Sequence, residues 1–224
     1  GMPPYVKGTV NSQINFTHLK PYEGSFWIKG ETLVTNPDEM KRLIGEALET
    51  KVQLDTSGKF KEGKGHIASK IKSSLGDISL LNMHVDPEKK MYKGSYLIDI
   101  PQLKTLHKVI DQKLYGPLVL KGDFSKDKVV NLSGATQTLG GEIAYTLVGD
   151  TLNAEINNVP LENILGLLGH KKDFLGKAFG KGKYDLKQKS GVIDLDIKSF
   201  QIKPSPTTNT IKMLIGKDPT RVMF

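Results

Sequence analysis

Cysteine is absent from the 224 residues. That excludes disulfide staples, thiolate nucleophiles and cysteine-based zinc sites, and it suits an oxidising compartment without requiring one. No run approaches the ~20 apolar residues of a membrane-spanning helix. The start lacks the basic stretch and apolar core of a secretory leader. Gly1 before Met2 reads as a remnant of tag cleavage. The final "DPTRVMF" breaks off in an apolar run without a stop signal, so the expectation is a fragment of a longer protein. Aromatic residues are scarce, at 7%, with a single tryptophan, Trp27. They are not interleaved with the lysine-rich stretches "GKFKEGKGHIASKIK" and "HKKDFLGKAFGKGK", as a base-stacking platform would need, so no nucleic-acid partner is expected. Trp27, in the strand-like "GSFWIKG", reads as a core or interface residue.

Acidic residues are the minority charge, 24 against 32 Lys and Arg, for a formal net charge of +8. The excess favours anionic partners such as phospholipid headgroups or lipopolysaccharide. A solvated lysine-rich surface is the simpler reading of the same excess. At 38% hydrophobic and 25% charged the composition is that of an ordinary globular chain.

Catalytic and metal signatures are missing too. His18, His66, His84, His107 and His170 include no helical i, i+4 pair and no ligand cluster, so no metal site is expected. "GKAFGKGKYD" mimics a phosphate loop, but its glycines are wrongly spaced and Gly182 follows Lys181 where Ser or Thr belongs. No G-x-S-x-G elbow occurs. Asp194 and Asp196 share a strand face, which reads as a solvated face rather than a hydrolytic pair. The "NFT" and "NLS" triplets match glycosylation acceptors, a pattern short enough to arise by chance. The expectation is a non-enzyme without a cofactor.

What the chain does have is a recurring change of period. In "LNAEINNVPLENILGLLG", residues 152–169, Leu152, Ala154 and Ile156 alternate with Asn153, Glu155 and Asn157, as in a half-buried strand. After Pro160 the apolar positions are Leu161, Ile164, Leu165 and Leu168, at helical spacing. Proline suits a helix's first turn, and Gly169 supplies a stop. The same order of strand, proline and amphipathic helix starts at Glu31 and at Ser95. Short helices are therefore predicted after Pro37, Pro101 and Pro160, about sixty residues apart, a long period for a solenoid. "PSPTTNTIKMLIG" reads as the start of a fourth unit.

Between these helices the sequence reads as strand: near 51–61, 64–73, 77–85 and 91–100, then near 117–124, 127–134, 141–149 and 151–157. A long hairpin follows about "KQKSG". Each unit is one helix and about four antiparallel strands. The organisation predicted is a single elongated repeat domain over 2–224, with units at approximately 24–90, 91–149 and 150–203 and a further start at 204–224. Ile143, Tyr145 and Leu147 share one face, as do Ile67 and Ile71. Ile193, Leu195 and Ile197 alternate with Asp194, Asp196 and Lys198; after Ser199 the phase slips to Phe200 and Ile202, as in a β-bulge.

Residues 132–202 resemble the C-terminal region of AsmA-like proteins of Gram-negative bacteria (the AsmA, TamB and YhdP type). The resemblance rests on the order of Gly140–Gly141 before a strand, "GDTLNAEI", "VPLENILGLLG", the glycine-spaced "GKAFGKGKYDL" and "GVIDLDI". It implies a periplasmic protein anchored in the inner membrane, whose antiparallel strands curl into an apolar trough, the β-taco. It also implies a part in phospholipid transport and outer-membrane biogenesis, with outer-membrane assembly proteins as partners. The anchor expected of a complete family member is not found in this sequence.

The fold class expected is thus mainly β with short α-helices: a curved, trough-like antiparallel sheet with apolar helices on its concave face. Each methylene kept from water in such a trough gains about 0.8 kcal/mol, so two sixteen-carbon chains would gain on the order of 20 kcal/mol. The expected lining is Ile143, Tyr145, Leu147, Leu152, Ala154, Ile156, Ile193, Leu195 and Ile197, with Asn153, Glu155, Asp194 and Asp196 facing water. Leu161, Ile164, Leu165 and Leu168 would cover it as plug or lid. Two alternatives are a closed core with no room for lipid, and an extended β-scaffold for outer-membrane assembly factors without lipid cargo.

Overall fold

The computed structural model describes residues 6–34, 51–107, 112–204 and 206–215. Twelve strands form one antiparallel sheet in which every strand pairs with its sequence neighbours. They are β1 (Val6–Leu19), β2 (Tyr22–Val34), β3 (Lys51–Lys61), β4 (Lys64–Ser73), β5 (Gly76–Asp86) and β6 (Met91–Ile100). The second half comprises β7 (Leu118–Lys126), β8 (Val130–Thr136), β9 (Glu142–Val148), β10 (Thr151–Pro160), β11 (Phe174–Asp185) and β12 (Ser190–Ile202). Among the described residues the sheet curves but does not close, and β1 and β12 each keep one open edge. Mainly antiparallel β-structure is as expected, and β3, β4 and β6 have the boundaries read from sequence.

Strict alternation of direction gives the sheet two unlike ends. One end carries six hairpin turns, such as Glu62–Gly63, where both residues have positive φ (52° and 78°) as a two-residue type I′ turn requires. The other end carries the three long connections, after β2, β6 and β10, each four strands beyond the last, with the short turns from β4 to β5 and from β8 to β9 between them. The helix expected after Pro37 lies outside the described residues. After Pro101 the described part opens with a 3-10 turn, Leu103–Leu106, with Leu103 buried, and His107 follows in helical conformation; the rest of the expected helix lies outside the described residues. After Pro160 the predicted helix forms as α1, Leu161–Leu167. Pro160 itself is the last residue of β10 and the N-cap, one step earlier than a first-turn proline. Gly169 ends α1 as expected: its φ is 75°, and the His170 N–H donates to the Leu165 carbonyl at 2.8 Å, closing a Schellman motif. A second helix, α2 (Pro206–Ile215), follows β12, as the fourth-unit reading anticipated.

Directly opposed residues of antiparallel neighbours point to the same face. The register therefore draws rows across the sheet. One row runs Ile14, Phe26, Gly58, Ile67. Another runs Phe124, Leu132, Leu147, Leu152, Tyr184. Both lie on one apolar face, while Lys29, Asp55 and Lys70 form a row on the opposite, polar face. The register shifts at four places: at Thr17 in β1, and at bulges centred on Asn82, Asn158 and Ser199, with φ of 50°, 55° and 54° for the last three. The slip at Ser199 was expected. Asparagine tolerates the left-handed region better than most residues, which suits it to the other two. The bulge at Asn158 carries β10 on to Pro160, past the predicted end at 157.

A single sheet has little interior. Val159 and Ala178, opposite one another on β10 and β11, are fully buried where α1 packs against both strands, and Leu161 of α1 is buried with them. Backbone and amide hydrogen bonds fasten α1 to its neighbours. Tyr115 N–H donates to the Leu167 carbonyl at 2.8 Å, and the Asn163 side-chain amide donates to the Leu139 carbonyl at 2.9 Å.

Candidate functional site

The nine residues expected to line a groove come from β9, β10 and β12. The register pairs Ile143 with Ile156, Tyr145 with Ala154 and Leu147 with Leu152. Across β11, Gly182 stands between Ala154 and Ile193, Gly180 between Ile156 and Leu195, and Ala178 between Val159 and Ile197. All nine therefore share the apolar face. Asn153, Glu155, Asp194 and Asp196 are exposed on the polar face, where Lys181 pairs with Glu155 at 3.6 Å.

The sequence reading missed what β11 contributes: a row of small residues, Ala178, Gly180 and Gly182, lying low between two apolar ridges. A Cβ on Gly180 would stand 2.3 Å from the Asp194 carbonyl, so that position has no room. A Cβ on Gly182 would meet nothing closer than 3.7 Å. Beside it lies a furrow of about 330 Å³, lined on this face by Leu152, Ala154, Gly182, Tyr184, Gly191 and Ile193. Its outer wall is open: Ile193 is 66% exposed and Leu195 41%.

Two expectations need correction. Leu168 lies past the last residue of α1 and is 48% exposed, so it covers nothing; the Schellman turn at Gly169 has already begun to lift the chain away. Leu161 is buried and Ile164 and Leu165 are half-buried, as a packed helix face requires. Trp27 is not a core residue. It stands exposed on the polar face of β2, where its indole N–H donates to Gln13 Oε1 at 2.9 Å. Alternation from its apolar neighbours Phe26 and Ile28 puts it there.

Further along the apolar face, Tyr96 of β6 and Tyr145 of β9 reach towards each other over Gly122 and Gly134. Their hydroxyls are hydrogen-bonded, and Tyr96 O–H donates to the Ser133 carbonyl at 3.2 Å. A Cβ on Gly134 would come within 2.7 Å of both hydroxyl oxygens, so glycine is what lets the rings lie flat. Burial, then the bond to Tyr145, push the Tyr96 phenol above its ordinary range. Folding therefore favours the neutral phenol. That contribution is complete below about pH 10 and is lost as pH rises beyond it. Tyr96→Phe should cost about 1 kcal/mol at neutral pH. Its melting temperature should also fall less steeply than the parent's above about pH 10. Parallel alkaline melting profiles would show that this phenol is not the source.

Among the described residues no helix is long and apolar enough to cross a membrane, and no group of three acidic or histidine side chains could hold a metal. No family model, no curated protein and no solved structure matches the chain.

Proposed function

We propose that the chain is a non-enzymatic lipid-handling module, part of a periplasmic trough for phospholipid transport and outer-membrane biogenesis. The observation that supports this is a face lined with apolar side chains across twelve strands, with no second sheet to cover it among the described residues. Sheets ordinarily bury such a face against another layer, and an apolar surface left open marks a binding region. The resemblance of residues 132–202 to AsmA-like proteins points the same way. In this reading the apolar face is the inner wall of the trough, α1 rests against it, and acyl chains lie along the furrow of β11. The module works beside membranes, held through an anchor elsewhere in a longer protein. The test is mass spectrometry of lipid extracted from the purified chain. Phospholipid in reproducible stoichiometry is expected.

A second reading has its own observation. The open edges are long, 14 residues on β1 and 13 on β12, and unpaired strands recruit other chains. A scaffold for outer-membrane assembly factors would use those edges and carry no lipid. Reproducible absence of lipid from an intact fold would favour it.

A further inference from the structure

At the hairpin end, apart from the furrow, strands β4 to β8 surround a hollow of about 450 Å³. Lys64, Lys89, Lys93 and Lys126 line it. None of the four has a carboxylate within ion-pair distance; the ion pairs among the described residues lie elsewhere. The hollow also holds two aspartates. Asp86 Oδ1 accepts the Lys89 backbone N–H at 3.1 Å, and Asp127 sits in the neighbouring turn. By the register Lys64 and Lys93 stand on the same face as His66 and His84, with Lys89 in the turn between β5 and β6. Lys126 lies opposite Tyr92 and points to the other face. Three lysines thus face two carboxylates. Two histidines add to the basic side: His66 and His84 oppose one another on β4 and β5 with ring centroids 4.3 Å apart. The His84 Nδ1–H is committed to the Asn82 carbonyl at 2.9 Å, which leaves Nε2 facing outward from that bond. The cross-strand row runs His66, His84, Lys93, Ser125, Asn131, so hydroxyl and amide groups continue the basic surface. Met91 adds an apolar wall.

Unpaired ammonium groups gathered from two separate strands and one turn, with neutral donors between them, suit a compact anion with several acceptor oxygens. Lysine serves such groups as a point charge. We propose that this hollow is a phosphate site, taking a phosphate ester either on a lipid headgroup or on a soluble molecule. It stands apart from the furrow and does not depend on lipid lying there.

The test uses the whole chain and two probes: flotation with phosphatidylglycerol vesicles, against phosphatidylcholine as the neutral control, and titration calorimetry with glycerol 3-phosphate. The variant is Lys64→Gln/Lys89→Gln/Lys93→Gln. Its charge-matched control is Lys70→Gln/Lys72→Gln/Lys187→Gln, outside the hollow. At about fivefold per lysine near an anionic surface, the first should bind phosphatidylglycerol about a hundredfold more weakly, and the control by less than about threefold. Lys89→Gln and Lys93→Gln alone, about fivefold each, keep the test decisive if the triple variant melts early. Glycerol 3-phosphate that binds and competes with vesicles assigns a soluble ester. Vesicle binding without that competition assigns the headgroup. Equal weakening in both triple variants, or no binding of either probe by the parent, overturns the site. Lipid co-purifying with the variant reports on the furrow separately, so either reading can fail alone.

Discussion

Val159→Asp should unfold the region around α1, whereas Leu195→Asp should leave the sheet folded and empty it of lipid. The two residues lie on the same apolar face, in adjacent rows. Val159 is fully buried between Ala178 and α1, so a carboxylate there has neither water nor a partner. Burying it costs several kcal/mol, against a total stability of about 5–15 kcal/mol for a typical protein. Leu195 is 41% exposed, and its replacement can turn its charge to solvent. Its cost falls on whatever apolar ligand the face would hold. Melting curves and lipid extraction on both variants separate the cases. If Leu195→Asp unfolds as readily as Val159→Asp, the face is a closed core. If it folds and keeps its lipid, the ligand lies elsewhere.

Gly182→Leu should block the furrow without harming the fold. The space is there, since an added Cβ meets only ordinary contacts at 3.7 and 3.8 Å. Glycine weakens a strand interior by roughly 0.5–1 kcal/mol relative to residues with a side chain, so the replacement is neutral or favourable. Melting temperature should hold or rise by about 2–4 °C. Lipid recovered from the variant should fall sharply, because the new side chain fills the low row between Ala154 and Ile193. Gly180→Leu is the contrasting change. With the Asp194 carbonyl 2.3 Å from the first added atom, it must displace backbone and should lower the melting temperature markedly. Lipid retained at the parent level in Gly182→Leu would remove the furrow from the site.

How much of this was legible depended on where the hydrophobic pattern was strong. β3 and β4 were read to the residue because "KEGK" is a clear turn between two alternating runs. β1 was not delimited: "VKGTVNSQINFTHL" is mostly polar, as an edge strand held from one side can be. The bulges at Asn82 and Asn158 had a signal that went unread. In "LLNMHV" and "INNVPL" the apolar phase slips across an asparagine, as it does across Ser199. The furrow was hidden because glycine carries no hydropathy signal, and only the register shows Gly180 and Gly182 between larger neighbours. The basic hollow was illegible for another reason. Lys64 lies in one lysine-rich run, but Lys89 and Lys93 come from a later turn and strand, and cross-strand register gathers them.

The placement of every long connection at one end makes the sheet a ruler graduated in strands. At about 4.8 Å per strand, twelve strands measure roughly 50 Å along the arc, more than the ~30 Å hydrocarbon thickness of a bilayer. A four-strand repeat adds about 19 Å. Growth by a single strand is barred by direction alone, since it would reverse every strand after it and move the α1 connection to the hairpin end. Reach can therefore change only in even steps. A duplication of four strands with their connection is the smallest one that leaves both rims, and whatever each rim binds, as they were.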